Sequence, residues 1–304
     1  MKYIAHREDE REQLLLDHLT GTAEKARDFA EAFGKGDWGY CCGMMHDLGK
    51  YSEKFQRRIR GEEIKVDHAT AGARVCLELG GMYPFLEYCI AGHHAGLPDD
   101  GGDSDAGNFP TLKGRRKKKI EDFQAYKKEV HIPELKTAPI DINKTKNAEF
   151  SLSMFMRMLY SCLVDADFLD TEKFMTNGNT GRQQGESMSQ LLEKLEQHIA
   201  GWLENKETES VNGRRTEILR ACLEAGEKEK GLFRLTVPTG GGKTIASLAF
   251  ALRHAVKHNM DRIIYVIPYT SIIEQNAEVF REKLGDQNVL ENHCNVDYES
   301  TEEL

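Results

Sequence analysis

Residues 44–50 read Met44-Met45-His46-Asp47-Leu48-Gly49-Lys50 and set a histidine beside an aspartate at a predicted helix end. Adjacent residues lie only about 100° apart around a helix, so this imidazole and carboxylate can reach one divalent ion. Gly49 is typical of residues that end a helix. A lone His-Asp pair more often belongs to an ordinary last turn, so other histidines in the chain must decide the interpretation.

The length and composition indicate a globular protein with two domains. The chain has 304 residues, of which 39% are hydrophobic and 30% charged, as in typical soluble domains. No apolar run approaches the ~18 residues of a membrane span, and the first residues do not form a signal peptide. We therefore expect a cytoplasmic protein with no membrane segment. Its seven cysteines lack a C-x-x-C pair, which favours reduced core thiols.

The first two thirds of the chain show helical spacing of apolar residues. Helices are predicted at about 13–33, 38–47, 67–79, 85–92, 150–169 and 189–203. We predict an all-α domain over residues 1–204 and a polar linker over 205–213. The net charge of -9 argues against a general nucleic-acid coat, but residues 113–119 are basic apart from Gly114. This basic run and a charged helix through Tyr126 are predicted to form a surface insertion.

After the linker, the spacing of the apolar residues is no longer helical throughout, and strand-like segments appear. Segments 233–237 and 262–267 are predicted strands, and helices are predicted at about 215–225, 245–256 and 271–284. A strand, a glycine loop, a helix, a second strand and a second helix are typical of the start of a parallel α/β sheet. We therefore predict that residues 214–304 form the first part of a RecA-like lobe.

Histidines and aspartates recur on or beside the apolar helices of the first domain. Such groups are costly to bury unless they are paired or bind metal. A shared metal site is therefore predicted from the following set: His18, His46, Asp47, His68, His93, His94 and an acid of the 150–169 helix. Helical phase favours Asp167, which follows Leu163 by four; Asp165 is the competitor, and Asp170 is also near. Histidine-rich ligation favours Mn, Fe, Co or Ni over Mg.

These motifs resemble those of HD-domain metallophosphohydrolases, and most closely the nuclease domain of CRISPR-associated type I helicase-nucleases. The resemblance covers about the first 200 residues. It rests on the order and wording of His18, His46-Asp47-Leu48-Gly49-Lys50, His68-Ala69-Thr70-Ala71-Gly72, Gly92-His93-His94-Ala95-Gly96-Leu97-Pro98 and Leu163-Val164-Asp165-Ala166-Asp167-Phe168-Leu169-Asp170.

The resemblance implies two divalent ions and a role for each motif. His18, His46, Asp47 and the late aspartate would hold one ion. Asp47, His68, His93 and His94 would hold the other, with Asp47 as the bridge. Two ions about 3.5 to 4 Å apart activate water and stabilise the leaving oxygen of a phosphodiester. Lys50 would help to neutralise the phosphate, with single-stranded DNA as the substrate.

A glycine loop between the first predicted strand and the following helix has the features of a phosphate loop. Its glycines expose backbone N–H groups, Lys243 can reach phosphates, and Thr244 can ligate Mg. Val237 occupies the place of the first glycine in the full pattern. The predicted nucleotide-binding residues are Thr239, Gly240, Gly241, Gly242, Lys243 and Thr244.

The second part of the chain resembles superfamily 2 helicases. Thr236-Val237-Pro238-Thr239-Gly240-Gly241-Gly242-Lys243-Thr244 is similar to their first motif, and Tyr265-Val266-Ile267-Pro268-Tyr269-Thr270-Ser271-Ile272 to the next. Residues 285–304 contain no Asp-Glu box, and no second lobe follows. We therefore expect a fragment of a longer protein, with ATP and Mg bound at the loop in the full-length chain. The resemblance implies recruitment by a crRNA-guided type I surveillance complex.

Two other functions fit the same residues. An HD phosphohydrolase would act on a nucleotide or a cyclic dinucleotide, with the second domain regulatory. A catalytically silent interaction module would hold metal only for structure. The basic run at 113–119 could track a DNA strand, dock a partner or form a solvated surface.

Overall fold

The structure is a computed structural model that describes residues 2–179, 185–207 and 209–293. The chain divides into two compact units, Met1–Gly181 and Arg182–Leu304. The boundary therefore lies before the helix at about 189–203, which the sequence analysis placed in the first domain, rather than at the linker of residues 205–213. Among the described residues, no helix combines the length and the apolar character needed to cross a bilayer.

The first unit is a helical bundle that begins with a short hairpin. Its strands and helices are Ile4–Glu8 (β1), Arg11–Leu14 (β2), Leu15–Glu31 (α1), Gly36–Met45 (α2), Glu53–Ile59 (α3), Ala69–Leu79 (α4), Pro84–Gly92 (α5), Leu112–Lys117 (α6) and Ala148–Met175 (α7). Short 3-10 turns occupy Leu48–Tyr51, Gln124–Lys128 and Ile142–Lys144. The long helix α7 packs against α1, α2 and α5.

Helices α1 and α2 approach closely because α2 carries glycines on the contact face. A Cβ at Gly43 would lie 2.5 Å from Cα of Ala23, and one at Gly39 would lie 2.1 Å from the carbonyl oxygen of Ala26. Neither distance is compatible with a larger residue in place. The close packing brings the rings of His18 and His46 to a centroid separation of 5.2 Å.

The core of the first unit joins all the long helices. Its largest fully buried side chains include Leu15, Leu19, Trp38, Met45, Leu48, Leu86, Ile90, Leu159 and Leu163. Burial of such apolar side chains contributes about 25 cal/mol per Å². The core is what fixes the positions of the polar residues on the same helices.

The hairpin was not predicted. β1 and β2 pair antiparallel, with Ile4 opposite Leu14 and Glu8 opposite Arg11. The buried side chain of Gln56 fixes its start: its amide oxygen accepts from the Ile4 N–H at 3.0 Å, and its NH₂ donates to the Ile4 carbonyl at 2.9 Å. The hairpin positions His6 beside His18, with ring centroids 4.7 Å apart.

The segment predicted as a surface insertion is instead part of the core. Leu112, Phe123 and Tyr126 are all buried within the first unit. The predicted charged helix through Ile120, Phe123 and Tyr126 is also wrong, because helix α6 ends at Lys117 and only a 3-10 turn follows at Gln124–Lys128. These three apolar residues anchor the segment in the core. The many charged residues around them made the sequence pattern typical of an exposed segment.

The described residues of the second unit form four helices: Met188–Leu203 (α8), Val211–Gly226 (α9), Lys243–Lys257 (α10) and Thr270–Leu284 (α11). A 3-10 turn follows at Asp286–Asn288. Its core is formed by residues that include Leu192, Leu195, Ile199, Leu219, Ala249, Leu252 and Phe280. Helix α8 contributes several of them, which explains why it belongs to this unit.

The strands predicted at 233–237 and 262–267 are not formed in the described part of the second unit. Ile264 and Val266 are 78% and 90% exposed. A strand is stable only when neighbouring backbone pairs with it and its apolar side chains are covered. The sequence carries the strand pattern, but no pairing partner is present among residues 185–207 and 209–293.

Candidate metal centre

Two overlapping groups of side chains meet inside the first unit. His18, His46, Asp47 and Asp167 form one group, and Asp47, His68, His93 and His94 form the other. In each group, one ligand atom from every residue lies within 4.8 Å of all the others. The structure thus brings together all seven residues predicted as metal ligands, and Asp47 is common to both groups.

The end of helix α2 positions His46 and Asp47. The helix ends at Met45, two residues before the predicted end, and His46 is its C-cap residue. Asp47 then leaves the helix with φ -112° and ψ 23°. This turn separates the two side chains, and both remain completely buried.

Gly49 allows the second group to form. A Cβ at Gly49 would lie 2.2 Å from the carbonyl oxygen of His68 and 2.6 Å from its Cα. Only glycine permits the backbone of His68 to come so close to the turn after Asp47. The His68 Nε2 atom then lies 3.5 Å from Asp47 Oδ1.

The imidazole rings are oriented by bonds from their outer nitrogens. Nδ1 of His46 lies 2.7 Å from the carbonyl oxygen of Gly43, and Nδ1 of His93 lies 2.7 Å from that of Ile90. A carbonyl oxygen can only accept, so each Nδ1 carries a proton and only Nε2 is left to face a cation. Such outer bonds are typical of metal-ligating histidines.

The ring nitrogens and the carboxylate oxygen that face inward are left unpaired. Nε2 of His18, His46 and His93, and Oδ1 of Asp47, are buried and have no hydrogen-bond partner among the described residues. Buried polar atoms normally have partners, and leaving them unpaired is costly. A divalent cation would satisfy all of them at once, so the residues fit a metal ion.

The distances also fit metal ligation. Nε2 of His18 lies 3.3 Å from Asp167 Oδ1 and 3.5 Å from Asp47 Oδ2. Nε2 of His93 lies 3.5 Å from Asp47 Oδ1. Two ligands about 2.0–2.2 Å from an ion are about 3.0–3.5 Å apart at tetrahedral or octahedral angles. The observed spacing leaves room for a cation in the first group. In the second group, Nε2 of His68 lies 2.7 Å from Nε2 of His94, a hydrogen-bond distance, so one of these two rings must turn before both can bind the same ion.

Charge and burial act differently on the two groups. Burial opposes the charged form of His46, but Asp47 and Asp167 outweigh it and raise the pKa of His46 to about 10. Burial lowers the pKa of His68 to about 4, assisted by Lys50 and the neighbouring imidazoles and opposed by Asp47. His68 is therefore in its neutral, ligating form at neutral pH.

The late aspartate of the cluster is Asp167. Asp165 is exposed and belongs to neither group. Asp170, one turn further along α7, is buried and lies behind His18. Its Oδ2 lies 3.0 Å from Nδ1 of His18, and Lys25 donates to Oδ1 at 2.7 Å. Asp170 therefore orients a ligand, whereas Asp167 joins the ligand group.

Lys50 contacts the shared carboxylate directly. Its Nζ lies 2.6 Å from Asp47 Oδ2 and 3.4 Å from Nε2 of His6, and the side chain is buried. The predicted contact with a substrate phosphate stays a prediction. His6 was missed by the sequence analysis, because it lies on the unpredicted hairpin and no motif marks it. Burial and the charge of Lys50 lower the pKa of His6 to about 4.

The predicted phosphate loop precedes helix α10 of the second unit. Gly240 and Gly242 have φ of +80° and +78°, values that favour glycine, and Lys243 begins the helix. Lys243 Nζ donates to the Val237 carbonyl oxygen at 3.0 Å. Arg215 donates to the Gly240 carbonyl oxygen at 2.8 Å. A cavity of about 570 Å³ lies beside the loop and is lined by Trp202, Arg215 and Gly242, among others.

Much of the basic run serves the fold. Arg116 forms a two-bond ion pair with the buried Glu87, at 2.8 and 2.7 Å. Lys113 pairs with Asp103 at 3.0 Å, and Lys117 donates to the Asp105 carbonyl oxygen at 2.8 Å. These bonds hold the loop that precedes helix α6, so the run is not a continuous free cationic surface.

Two family models match the chain. Residues 15–134 are similar to the HD domain, and residues 182–302 are similar to the res subunit of type III restriction enzymes. Six of the clustered residues lie within the first match, and Asp167 lies beyond it on α7. A search of curated proteins finds no match. The two similarities confirm the predicted fold class: a helical HD-type bundle precedes a helicase-like, partial RecA-type region.

Proposed function

We propose that the first unit is a metal-dependent nuclease that cleaves phosphodiester bonds of single-stranded DNA. The observation that carries the proposal is the shared carboxylate of Asp47, which stands between two complete ligand groups. The similarity to the HD domain supports a metal-dependent hydrolase in general. Five of the seven clustered ligands are histidines, which favours Mn, Fe, Co or Ni over Mg.

The chain's own residues would hold and orient the reacting groups. Two divalent cations, when bound, supply a nucleophilic water at neutral pH and neutralise charge on a phosphodiester. Oδ2 of Asp47 faces the first group and Oδ1 faces the second, and Lys50 lies 2.6 Å from Oδ2. Asp170 and the carbonyl oxygens of Gly43 and Ile90 fix the rings of His18, His46 and His93. The exposed His94 lies at the open side of the second group.

We infer that residues 239–244 of the second unit bind ATP with Mg in the full-length protein, whose complete helicase part drives a DNA strand toward the nuclease. The glycine loop at the start of a 15-residue helix supports anion binding there. The similarity to the res subunit supports a helicase-like role. Recruitment by a crRNA-guided complex in the cytoplasm completes this proposal. Loss of ATP binding in Lys243→Ala, with cation binding by the first unit retained, is the expected result.

Nicking of circular single-stranded DNA by the full chain tests the nuclease proposal. We expect nicking with Mn, Co or Ni, and weaker nicking with Mg. Asp47→Asn keeps the side-chain shape and should abolish nicking, whereas Asp165→Asn, on an exposed position of α7, should retain it. Nicking that survives in Asp47→Asn contradicts the proposal.

Two further measurements on the same protein, nucleotide hydrolysis and cation binding, distinguish the two other functions. Hydrolysis of a nucleotide or a cyclic dinucleotide, without any nicking of DNA, indicates a small-molecule phosphohydrolase. Cation binding without hydrolysis of either substrate indicates a structural metal. Asp47→Asn should remove the cation in all three cases, so the substrate and not the variant distinguishes them.

A further inference from the structure

A cleft of about 420 Å³ in the first unit is lined mainly by charged side chains. Its charged residues are Lys54, Lys65, Asp67, Lys118, Lys119 and Glu121. The lysines come from helix α3, from the segment before α4 and from the end of the basic run. Separate parts of the chain therefore converge to make one positively charged cleft.

Two of the lysines are already paired. Lys54 lies 2.9 Å from Glu121, and Lys118 lies 2.5 Å from Asp67. Lys65 and Lys119 are exposed and have no acidic partner within ion-pair distance among the described residues. The cleft therefore keeps two uncompensated positive charges, which can attract an anion.

Both walls of the cleft continue into the metal centre. Asp67 directly precedes His68, and it accepts from the N–H and the hydroxyl of Thr70 at 3.1 and 2.8 Å. Lys54 directly precedes Phe55, whose ring packs edge-on against that of His68 at 5.2 Å. The cleft thus lies on the side of the second ligand group, next to His68.

We propose that this cleft binds backbone phosphates of a single-stranded polynucleotide next to the nucleotide being cleaved, through Lys65 and Lys119. The inference rests on the proposed nuclease function and adds a substrate path to it. A small phosphodiester occupies only the cation centre and makes no use of the cleft. A polymer occupies both, and its binding depends on salt because phosphate contacts release counterions.

Comparison of two double variants of the full chain tests this role. One is Lys65→Gln with Lys119→Gln; the control is Lys136→Gln with Lys146→Gln, which changes two exposed lysines of the same unit outside the cleft. We measure single-stranded DNA binding by fluorescence anisotropy at several salt concentrations. We also measure hydrolysis of bis(p-nitrophenyl) phosphate with Mn.

The cleft variant should bind DNA roughly tenfold more weakly, with a log Kd against log salt slope reduced by about 1.4, since each contact to a single strand contributes about 0.7. Its hydrolysis of the small diester should equal that of the wild type, and the control variant should match the wild type in both assays. Unchanged DNA binding in the cleft variant, or equal losses in both variants, overturns the proposal.

Two further outcomes are informative. If the wild type hydrolyses no phosphodiester with any cation, the nuclease function fails, but the anisotropy assay still tests the cleft. In the other outcome, the wild type binds polyglutamate but not DNA, and the cleft variant no longer binds polyglutamate. The partner is then an acidic protein, and the polynucleotide proposal is overturned. Unchanged melting temperatures in both variants will show that the fold is intact.

Discussion

Asp170 and His18 form a hydrogen-bonded pair behind the first ligand group, with Oδ2 of the aspartate 3.0 Å from Nδ1 of the histidine. Lys25 and Gln13 donate to the same carboxylate at 2.7 and 2.8 Å. The pair fixes the ring so that Nε2 of His18 faces Asp47 and Asp167. Asp170 is therefore a positioning residue of the metal centre.

Asp170→Asn should weaken cation binding about 10- to 100-fold, the usual effect of losing a carboxylate behind a ligating histidine. The amide still fits the space but no longer supplies a negative charge to His18. Isothermal titration with Mn or Co measures the change. Asp165→Asn, on the exposed face of the same helix, is the control and should bind as the wild type does. Equal affinity in both variants contradicts a positioning role.

Gly49→Ala should disturb the second ligand group more than the first. The added methyl group would meet the carbonyl oxygen and Cα of His68, so the backbone there must move. We expect a loss of about 1–3 kcal/mol in the free energy of unfolding, as for other overpacked sites. One of the two cations should be lost in elemental analysis. Gly201→Ala is the control: Gly201 has open space around it, so this variant should retain both cations.

Arg116→Met should destabilise the first unit in a manner that depends on pH. Burial raises the pKa of Glu87, and Arg116 partly offsets this effect. Without the arginine, the ionised carboxylate is buried without its partner, at a cost of about 2–3 kcal/mol; this is below the usual range because Arg116 is one-third exposed.

The sign of the pH dependence follows from the raised pKa. The folded state holds a proton on Glu87 more tightly than the unfolded state does, so the deficit grows as pH rises through the raised pKa and shrinks below it. Denaturant unfolding from pH 4 to 8 measures this, in a Trp202→Phe background so that the buried Trp38 reports on the first unit. Lys128→Met, at an exposed position of the same unit, should show little change at any pH, and a pH-independent deficit in Arg116→Met contradicts the argument.

Cation binding should stabilise the first unit. At a free cation concentration 100 times its Kd, the free energy of unfolding should rise by about 2.7 kcal/mol, and a chelator should reverse the change. Thermal unfolding with and without Mn or Co measures it. The shift should vanish in Asp47→Asn, because both ligand groups lose the same carboxylate. An equal shift in that variant would place the stabilising cation elsewhere.

The sequence allowed the ligand cluster to be predicted in detail because its histidines and aspartates recur on or beside helices that are rich in apolar residues. His18 falls within the apolar part of α1, and helical phase favoured Asp167 over Asp165 on α7, in agreement with the wording of the motif. The wording of the motifs supplied the grouping into two sets. The structure agrees with this grouping, whereas the roles of the residues in binding metal stay predictions.

Other features depend on contacts between distant parts of the chain. Asp170 could be placed behind His18 only once α1 and α7 were packed together, and His6 only once the hairpin was fixed by Gln56. The predicted strands at 233–237 and 262–267 failed for the same reason. The alternation of residues 233–237 and the apolar run of residues 262–267 are local patterns, but a strand requires a neighbour, and pairing is not encoded in either segment alone.

The shared carboxylate of Asp47 makes the number of bound ions readable from single substitutions. His18 and Asp167 belong to only one group, and His68 and His94 belong only to the other. Loss of a residue that belongs to only one group should leave about one bound cation per chain, because the other group is intact. Loss of Asp47 should leave no bound cation, because both groups need its carboxylate. The cation counts of these variants therefore distinguish a one-ion centre from a two-ion centre without a change of metal.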